Sequence, residues 1–371
     1  MNGRLLILVC SLSFFLAYFS RLAWSILGPL STLHPSVEED SYIFSLFFAG
    51  YVVVQIPAGV LVDRMSFKIV LLLSLVGIAI TSLGSGLADS IRTEYLLSIF
   101  MGLSAGWIYP STVKAISGSF SGKELAQAMG VYSLAWPLSI IAAGYLLPPI
   151  ATELSWRWGY FFVTALSVMT VSLLPIVKPT PNFNSPGRLE DIRDVFLISG
   201  GGFLFFTAYW AVALYFYDYA LRLTDDPIVS GLIYSLTALP GIVSTVLSSR
   251  LINRLGHVKS LVVTVSSYGL LLMLIPLARG PLSLAILATL MGGVRFLITP
   301  AHSTAIARIG REGAGKATGI ANTFWQFSGV TSSAMAGWIV TSLGYQWLWI
   351  MMGFISIIST LLYSRIGVTG K

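Results

Sequence analysis

Two arginines interrupt long apolar segments, and the chemistry of the chain can be argued from them. Arg21 lies in FFLAYFSRLAWSILGPL (14–30), and Arg295 lies in MGGVRFLITP (291–300). A charge at the centre of a bilayer costs about 2.5–3.5 kcal/mol on insertion scales, so such a residue usually faces a wet cavity or a partner. A guanidinium binds a carboxylate or phosphate through two parallel hydrogen bonds. Both arginines are candidate anion-binding residues; the alternative is that each donates to backbone carbonyls and holds helices together.

Other polar side chains in apolar segments could complete such a site. An amide inside a membrane needs a hydrogen-bond partner, which makes Gln55, Asn322 and Gln326 candidate substrate-binding residues. Tyr18 precedes Arg21 by three residues and is a further candidate. For the tyrosine, packing against neighbouring helices is the competing interpretation.

Histidine and cysteine are too sparse to indicate a metal site. His302 follows Arg295 by about two helical turns and could carry a proton, because imidazole titrates near neutral pH; a structural, hydrogen-bonded histidine is the alternative. The three histidines are far apart, and the single cysteine, Cys10, excludes an intramolecular disulfide. Neither a nucleotide-binding pattern nor a nucleophile–base pair stands out. We expect no enzymatic activity, no cofactor and no metal.

The composition is that of a membrane protein. Of the 371 residues, 56% are hydrophobic and only 10% are charged, against about 25% charged in soluble domains. Apolar stretches of about 20 residues, long enough to span a bilayer as helices, recur along the chain. The net charge of +7 fits basic loops on one side of a lipid bilayer better than binding to nucleic acid.

The apolar stretches predict an all-α integral membrane protein with twelve transmembrane helices. These lie near 5–30, 41–61, 69–88, 95–117, 125–148, 157–177, 194–217, 229–250, 260–278, 282–307, 317–341 and 345–366. The longest polar connection is VKPTPNFNSPGRLEDIRD (177–194). It divides the chain into an N-terminal six-helix bundle (1–177), a linker (178–193) and a C-terminal six-helix bundle (194–371).

The basic residues are unequally distributed between the two sets of loops, and this predicts the orientation. Fifteen of the 22 lysines and arginines fall in the termini, the linker and the loops on the same side. Four fall in the opposite loops, and three (Arg21, Lys114 and Arg295) lie inside predicted spans. We predict a multi-pass protein of the cell membrane with both termini cytoplasmic, and we expect a monomer.

The two predicted bundles share sequence at an offset of about 190 residues. FFLAY (14–18) matches FFTAY (205–209), LVDRM (61–65) matches LINRL (251–255), and MGLSAGWIYP (101–110) matches MGGVRFLITP (291–300). Matches in the same order at nearly the same offset indicate a duplicated six-helix unit. Because six is even, both copies enter the membrane from the same side, which gives two pseudo-symmetric bundles.

This arrangement resembles the major facilitator superfamily of secondary transporters. The segment GVLVDRMSFK (59–68) is similar to the family pattern G-x-x-x-D-R-x-G-R-K, with departures at Ser66 and Phe67. The resemblance implies alternating access of two bundles. It also implies that conformational gating involves Gly59, Asp63, Arg64, Lys68 and, in the second copy, Arg254. The alternative is that these charges only set the topology.

The pattern around Arg21 is similar to the anion-handling branches of that superfamily, in which an arginine of helix 1 meets the acid group of the substrate. In that fold helices 1, 4, 7 and 10 line the central cavity, which would place Arg21 and Arg295 on the substrate pathway. The resemblance implies a secondary transporter for a small organic anion, either a carboxylate or a phosphate ester. It would be a symporter or antiporter that exchanges anions or couples to H⁺ or Na⁺.

Three alternatives are an exporter of amphipathic or cationic compounds, a sugar transporter, and a membrane sensor that binds ligand without transport. Exporters of that kind commonly need a carboxylate inside the membrane. All fifteen acidic residues fall in loops or near helix ends, so no carboxylate is expected to neutralise the two arginines.

Overall fold

Twelve long helices make up the described part of the chain. The computed structural model describes residues 2–61, 65–177, 191–310 and 314–367, and these ranges contain no strand. Counting each interrupted helix as one, the helices are α1 (Asn2–Leu27), α2 (Val37–Leu61), α3 (Phe67–Leu87), α4 (Ile91–Ser117), α5 (Gly122–Glu153), α6 (Trp156–Ile176), α7 (Ile192–Thr224), α8 (Pro227–Leu255), α9 (His257–Leu277), α10 (Pro281–Gly310), α11 (Ala314–Leu343) and α12 (Tyr345–Tyr363). Over the described residues, ten of these twelve helices are long and apolar enough to cross a membrane. The two helices outside that set are α2 and α11. The predicted all-α membrane fold is confirmed.

The helices form two compact units, an N-terminal unit (Met1–Asn184) and a C-terminal unit (Ser185–Lys371). Most of the predicted linker, residues 178–190, lies outside the described residues. In the N-terminal unit the most extensive contacts join α2 to α4, α3 to α6 and α1 to α5. In the C-terminal unit α8 packs on α10, α9 on α12 and α7 on α11. The same pairing therefore recurs in both copies of the duplicated sequence.

Two glycines that correspond in the repeat let helix backbones approach closely. A methyl group on Gly102 of α4 would overlap the carbonyl oxygen of Phe47 in α2. A methyl group on Gly292 of α10 would lie 2.6 Å from the carbonyl oxygen of Leu236 in α8. Small residues at helix interfaces allow this kind of packing in membranes, where burial of apolar area gives little driving force between helices.

Proline accounts for three interruptions of the helices. Its ring removes a backbone N–H and collides with the carbonyl four residues earlier. The helix preceding Pro110 ends at Ala105, the one preceding Pro137 at Ser133, and the one preceding Pro240 at Leu236. By contrast, α2 and α10 continue past Pro57 and Pro300 without interruption.

Candidate functional site

Arg21 is buried in the N-terminal unit among four aromatic rings. The residue is only 2% exposed. Its guanidinium carbon lies 4.7 Å from the ring centre of Tyr18, 5.0 Å from Phe47, 4.6 Å from Phe48 and 4.7 Å from Tyr51. Tyr18 lies on α1 near Arg21. Tyr51 follows Phe48 by three residues and Phe47 by four, so it shares one side of α2 with both. The negative faces of the rings stabilise the cation where little water reaches it.

Further aromatic contacts fix the position of Tyr18. Its ring stacks on Trp136 with centres 4.8 Å apart and meets Phe14 edge-on at 5.0 Å. Phe14 in turn stacks on Tyr132 at 4.7 Å. The hydroxyl oxygens of Tyr132 and Thr112 are 2.7 Å apart. The ring beside Arg21 is thus held by a network that joins α1, α4 and α5.

Gln55 lies one turn after Tyr51 on α2 and is half-buried. Its Nε2 donates a hydrogen bond to the carbonyl oxygen of Gly106, over 2.8 Å. The structure therefore places this candidate near the Arg21 environment but gives its amide a contact with the α4 backbone. Contact with substrate stays a prediction.

A buried carboxylate that the sequence did not predict lines a cavity together with Arg21. Glu94, in the first turn of α4, is 2% exposed. Its Oε2 accepts a hydrogen bond from the Ser85 hydroxyl over 2.9 Å, and its Oε1 has no hydrogen-bond partner among the described residues. Arg21 and Glu94 line one narrow cavity. Glu94 lies near a helix end, as expected of every acidic residue, but it is buried on a cavity that Arg21 also lines. That no carboxylate neutralises the arginines stays a prediction. First-turn acidic residues are usually solvated, and nothing in the sequence indicates that neighbouring helices cover this one.

Arg295 occupies a second aromatic environment, in the C-terminal unit. It is 1% exposed, at the middle of α10. Its guanidinium carbon lies 4.1 Å from the ring centre of Tyr209 and 5.2 Å from that of Phe206. Nη1 donates to the hydroxyl of Thr299, one turn later, over 2.8 Å. Tyr209 is the repeat counterpart of Tyr18, so the same tyrosine of each copy contacts a buried arginine.

His302 shares aromatic neighbours with Arg295. It is 1% exposed, and its Nε2 lies 2.7 Å from the hydroxyl oxygen of Tyr363. Its ring centre lies 4.8 Å from Trp325 and 6.1 Å from Phe206, the ring that also contacts Arg295. The C-terminal unit therefore brings His302 and Arg295 against one aromatic cluster.

The two amide candidates of α11 lie one turn apart. Gln326 is buried and Asn322 is half-buried. Nε2 of Gln326 lies 3.4 Å from Oδ1 of Asn322, which is a long contact. Trp325, which packs on His302, lies between them in sequence and accepts a hydrogen bond at its carbonyl from Trp210 of α7.

The predicted gating residues are only partly described. Lys68 donates from Nζ to the carbonyl oxygen of Pro175 at the end of α6, over 3.0 Å. A cation there complements the negative C-terminal end of a helix. Arg254 is exposed in the last turn of α8, and Gly59 lies near the end of α2. Asp63 and Arg64 lie outside the described residues, so the gating role stays a prediction.

Several proteins of known function have similar sequences. The chain is 27% identical to the multidrug resistance protein MdtG of Klebsiella pneumoniae, over 71% of this chain and 67% of that protein. It is 22% identical to multidrug resistance protein 2 of Bacillus subtilis, over 89% and 86%. It is also 25% identical to a D-galactonate transporter of Escherichia coli, over 44% of this chain and 38% of that one.

Solved transporter structures share the fold. A crystal structure of a point mutant of the nucleoside transporter NupG superposes with a TM-score of 0.79 at 14% identity, covering 97% of this chain and 99% of that one. A bacterial homologue of the lysosomal transporter Spinster, inward-facing and occupied, gives a TM-score of 0.76 at 14% identity, covering 98% and 97%. The sequence profile described as Major Facilitator Superfamily matches residues 9–333 and 198–368. This chain therefore belongs to the Major Facilitator Superfamily and is a multi-pass membrane transporter rather than an enzyme.

Proposed function

We propose that this transporter moves a small organic anion, a carboxylate or a phosphate ester, by alternating access of its two six-helix bundles. The observation that carries the proposal is the burial of Arg21 and Arg295 in the apolar interiors of their units. In the repeat, Val212 takes the place of Arg21, and Ala105 takes the place of Arg295. Because the fold accepts an apolar residue at both positions, a ligand is a better reason for the cations than architecture.

Each arginine has neighbours suited to anion binding. The aromatic rings around Arg21 hold the guanidinium in place. The rings themselves form no strong hydrogen bond to an anion, so the guanidinium is the group that would bind it. A carboxylate or phosphate that enters gains charge-assisted hydrogen bonds, which are about twice as strong as neutral ones. Tyr18 and Gln55 in the N-terminal unit, and Asn322 and Gln326 in the C-terminal unit, supply further polar groups for the substrate.

The remaining features of the proposal concern conformation, coupling and location. Gating uses Gly59, Asp63, Arg64, Lys68 and Arg254, and coupling to H⁺ or Na⁺ drives the transport, with His302 as one candidate proton carrier. The transporter acts as a monomer in the cell membrane with both termini cytoplasmic. The similarity to a D-galactonate transporter supports an organic anion as substrate.

A second candidate function is the export of amphipathic or cationic compounds. It is favoured by the two multidrug resistance proteins that are similar over most of the chain. The buried Glu94 also supplies the membrane carboxylate that such exporters commonly need. Against it stands the position of Arg21, which lines the same cavity as Glu94 and would repel a cationic substrate.

Uptake into proteoliposomes distinguishes the two functions. The substrates are D-galactonate, its neutral relative D-galactose, and the lipophilic cation tetraphenylphosphonium. We expect the purified protein to transport D-galactonate, and Arg21→Ala and Arg295→Ala each to reduce that transport by at least tenfold, as expected when a charged hydrogen bond worth about 1.5–3 kcal/mol is lost. Arg92→Ala, at an exposed arginine of α4, is the control. Retained D-galactonate transport in both variants, or transport of the cation alone, would contradict the proposal.

A further inference from the structure

We propose that one end of α8, α9 and α10 forms a binding surface for the phosphate of an anionic phospholipid. The surface, called the basic surface below, consists of the exposed side chains of Arg250, Arg254, Lys259 and Arg308. In the proposed orientation it lies on the cytoplasmic side of the membrane. The inference concerns a lipid and does not depend on the proposed anion transport.

Helix packing brings these cations to the same end of the C-terminal unit. The α8 helix ends at Leu255 and α9 begins at His257, with only Gly256 between them. Gly256 has a φ of +78°, which glycine adopts readily, and its carbonyl oxygen accepts from the Ser260 hydroxyl over 2.6 Å. The α10 helix packs on both α8 and α9, and Arg308 in its last turn interacts electrostatically with His257. The ends of the three helices therefore present their cations together.

The three helices carry no acidic residue that could offset this charge. The sequence has no aspartate or glutamate between Asp226 and Glu312, a stretch that covers α8, α9 and α10. In the first copy of the repeat, LVDRM (61–65) includes Asp63, whereas LINRL (251–255) has Asn253 at that position. The cations therefore have no counter-ion from their own helices, and an external anion can supply the missing charge.

The cations follow exposed apolar side chains of membrane-spanning helices. On α9, Lys259 shares one face with Val263 and Leu270, which come four and eleven residues later and are both exposed. On α8, Arg250 follows the exposed Val243 by seven residues, or about two turns. Exposed apolar side chains on the outside of a spanning helix meet acyl chains, so a cation one turn beyond them lies at the depth of the headgroups. This position favours the phosphate of a lipid over that of a soluble molecule.

The helix dipole accounts for only some of these cations. Arg254 and Arg308 lie in the last turns of their helices, where a cation complements the negative end of the dipole. Lys259 lies in the first turn of α9, where the dipole disfavours a cation. Arg250 and Arg254 are one turn apart, and like charges at that spacing repel. A phosphate between these side chains relieves the repulsion and accepts charge-assisted hydrogen bonds from guanidinium and ammonium groups.

Two lipids that differ only in their headgroup test the inference. Phosphatidylglycerol has a net negative charge, and phosphatidylcholine with the same acyl chains has none. Native mass spectrometry of the full-length protein, purified in detergent, measures the fraction of protein that carries lipid as the lipid concentration rises. We expect wild type to bind phosphatidylglycerol at least tenfold more tightly, because each basic residue near an anionic lipid surface strengthens binding about fivefold.

A double variant identifies the residues responsible. Arg250→Gln with Lys259→Gln removes two cations and leaves Arg254, the candidate gating residue, in place. We expect it to bind phosphatidylglycerol at least tenfold more weakly than wild type, on the same fivefold scale for each charge, and to bind phosphatidylcholine equally well. Arg4→Gln with Lys123→Gln is the matched control. It removes two exposed cations of the N-terminal unit, on the same side in the proposed orientation, and should bind both lipids like wild type.

Four results would overturn the inference. These are equal binding of the two lipids by wild type, undiminished phosphatidylglycerol binding by the folded double variant, and an equal loss in the control, which would assign the attraction to net charge. The fourth is displacement of phosphatidylglycerol by the same concentration of inorganic phosphate, which would assign the surface to a soluble anion. If the double variant does not fold, the two single variants decide, each with an expected loss of about fivefold. Since no transport is measured, each result leaves the proposed function untouched.

Discussion

The side-chain amide of Gln55 in α2 donates a hydrogen bond to the carbonyl oxygen of Gly106 in α4, over 2.8 Å. In a continuous helix that carbonyl would accept from the N–H of residue 110, which is a proline and has none. The α4 helix is interrupted here, between Ala105 and Ile108. Gln55 therefore supplies the donor that Pro110 cannot, and this contact joins two helices.

Replacing Gln55 by leucine should destabilise the protein by about 1–3 kcal/mol, because the Gly106 carbonyl loses a donor in an apolar interior. Thermal unfolding of the purified protein in detergent measures the change. Pro110→Ala in the same background should recover part of the loss, since residue 110 then carries an N–H. Gln127→Leu, at an exposed position of α5, serves as control. If Gln55→Leu costs as much stability in the Pro110→Ala background as in wild type, the Gly106 carbonyl does not depend on Gln55.

Alanine at Gly102 or Gly292 should separate the paired helices. The added methyl group at Gly102 would overlap the Phe47 carbonyl, and at Gly292 it would lie 2.6 Å from the Leu236 carbonyl. Backbone atoms cannot move as a side chain can, so we expect both variants to lose more than about 2 kcal/mol of stability, Gly102→Ala the more. Gly130→Ala has nothing within 4 Å of the new methyl group and should be neutral or slightly stabilising. Similar melting temperatures for all three variants would contradict the close approach of these helices.

Tyr18 and Tyr209 should each stabilise an arginine through the ring and not through the hydroxyl. Their ring centres lie 4.7 Å from the guanidinium carbon of Arg21 and 4.1 Å from that of Arg295. Tyr→Phe keeps the ring and should change the Michaelis constant for D-galactonate little. Tyr→Leu should weaken binding by about 0.5–2 kcal/mol, or roughly two- to thirtyfold. Tyr145→Leu, an exposed tyrosine, is the control. A loss in the phenylalanine variants equal to that in the leucine variants would assign the effect to the hydroxyl.

The parts of this protein that the sequence predicts are those set by local pattern. The helices follow from the length of the apolar stretches, and the pairing of helices within each unit follows the repeat. Tyr18 contacts Arg21 because it precedes Arg21 by three residues on one helix. The contacts of Phe47 and Phe48 with Arg21 depend on how α2 packs against α1, which no local pattern reveals. Pro110 does indicate that the carbonyl four residues earlier lacks its donor, but only packing identifies Gln55 as the replacement.

The burial of Glu94 cannot be predicted from the residues next to it in sequence. An acidic residue in the first turn of a helix complements the helix dipole, and it is ordinarily solvated. The sequence around it, SIRTEYLL (90–97), has the same character as any exposed helix start. Its burial results from the packing of Ser85 of α3 and Tyr160 of α6 around it, which are contacts between residues distant in sequence.

The hydroxyl of Tyr345 should contribute more to stability than the exposed ion pair between Arg222 and Asp218. Both contacts use the carboxylate of Asp218. Its hydroxyl donates to Oδ2 of Asp218, a partly buried oxygen that also accepts from Nε of Arg222 at 3.0 Å. A hydrogen bond to a charged group contributes about 1.5–3 kcal/mol, whereas an exposed ion pair contributes about 0–1 kcal/mol. Tyr345→Phe should therefore lower the melting temperature more than Arg222→Met, because it releases α12 from α7. The reverse order would show that the ion pair dominates at this end of α7.

His302 is the candidate proton carrier of the proposed function, and D-galactonate uptake into proteoliposomes with and without a proton gradient tests it. The imidazole Nε2 is engaged with the Tyr363 hydroxyl at 2.7 Å, and the ring packs on Trp325 with centres 4.8 Å apart. These contacts suit a structural residue that joins α10, α11 and α12. His302→Gln should therefore reduce stability by about 1–3 kcal/mol, the usual effect of breaking a buried hydrogen bond. The stimulation of D-galactonate uptake by a proton gradient should remain.

Tyr363→Phe should lose a similar amount of stability. The double variant should lose less than the sum of the two single losses, because the two residues share one contact. Loss of proton stimulation in a folded His302→Gln protein would instead identify the imidazole as the proton carrier.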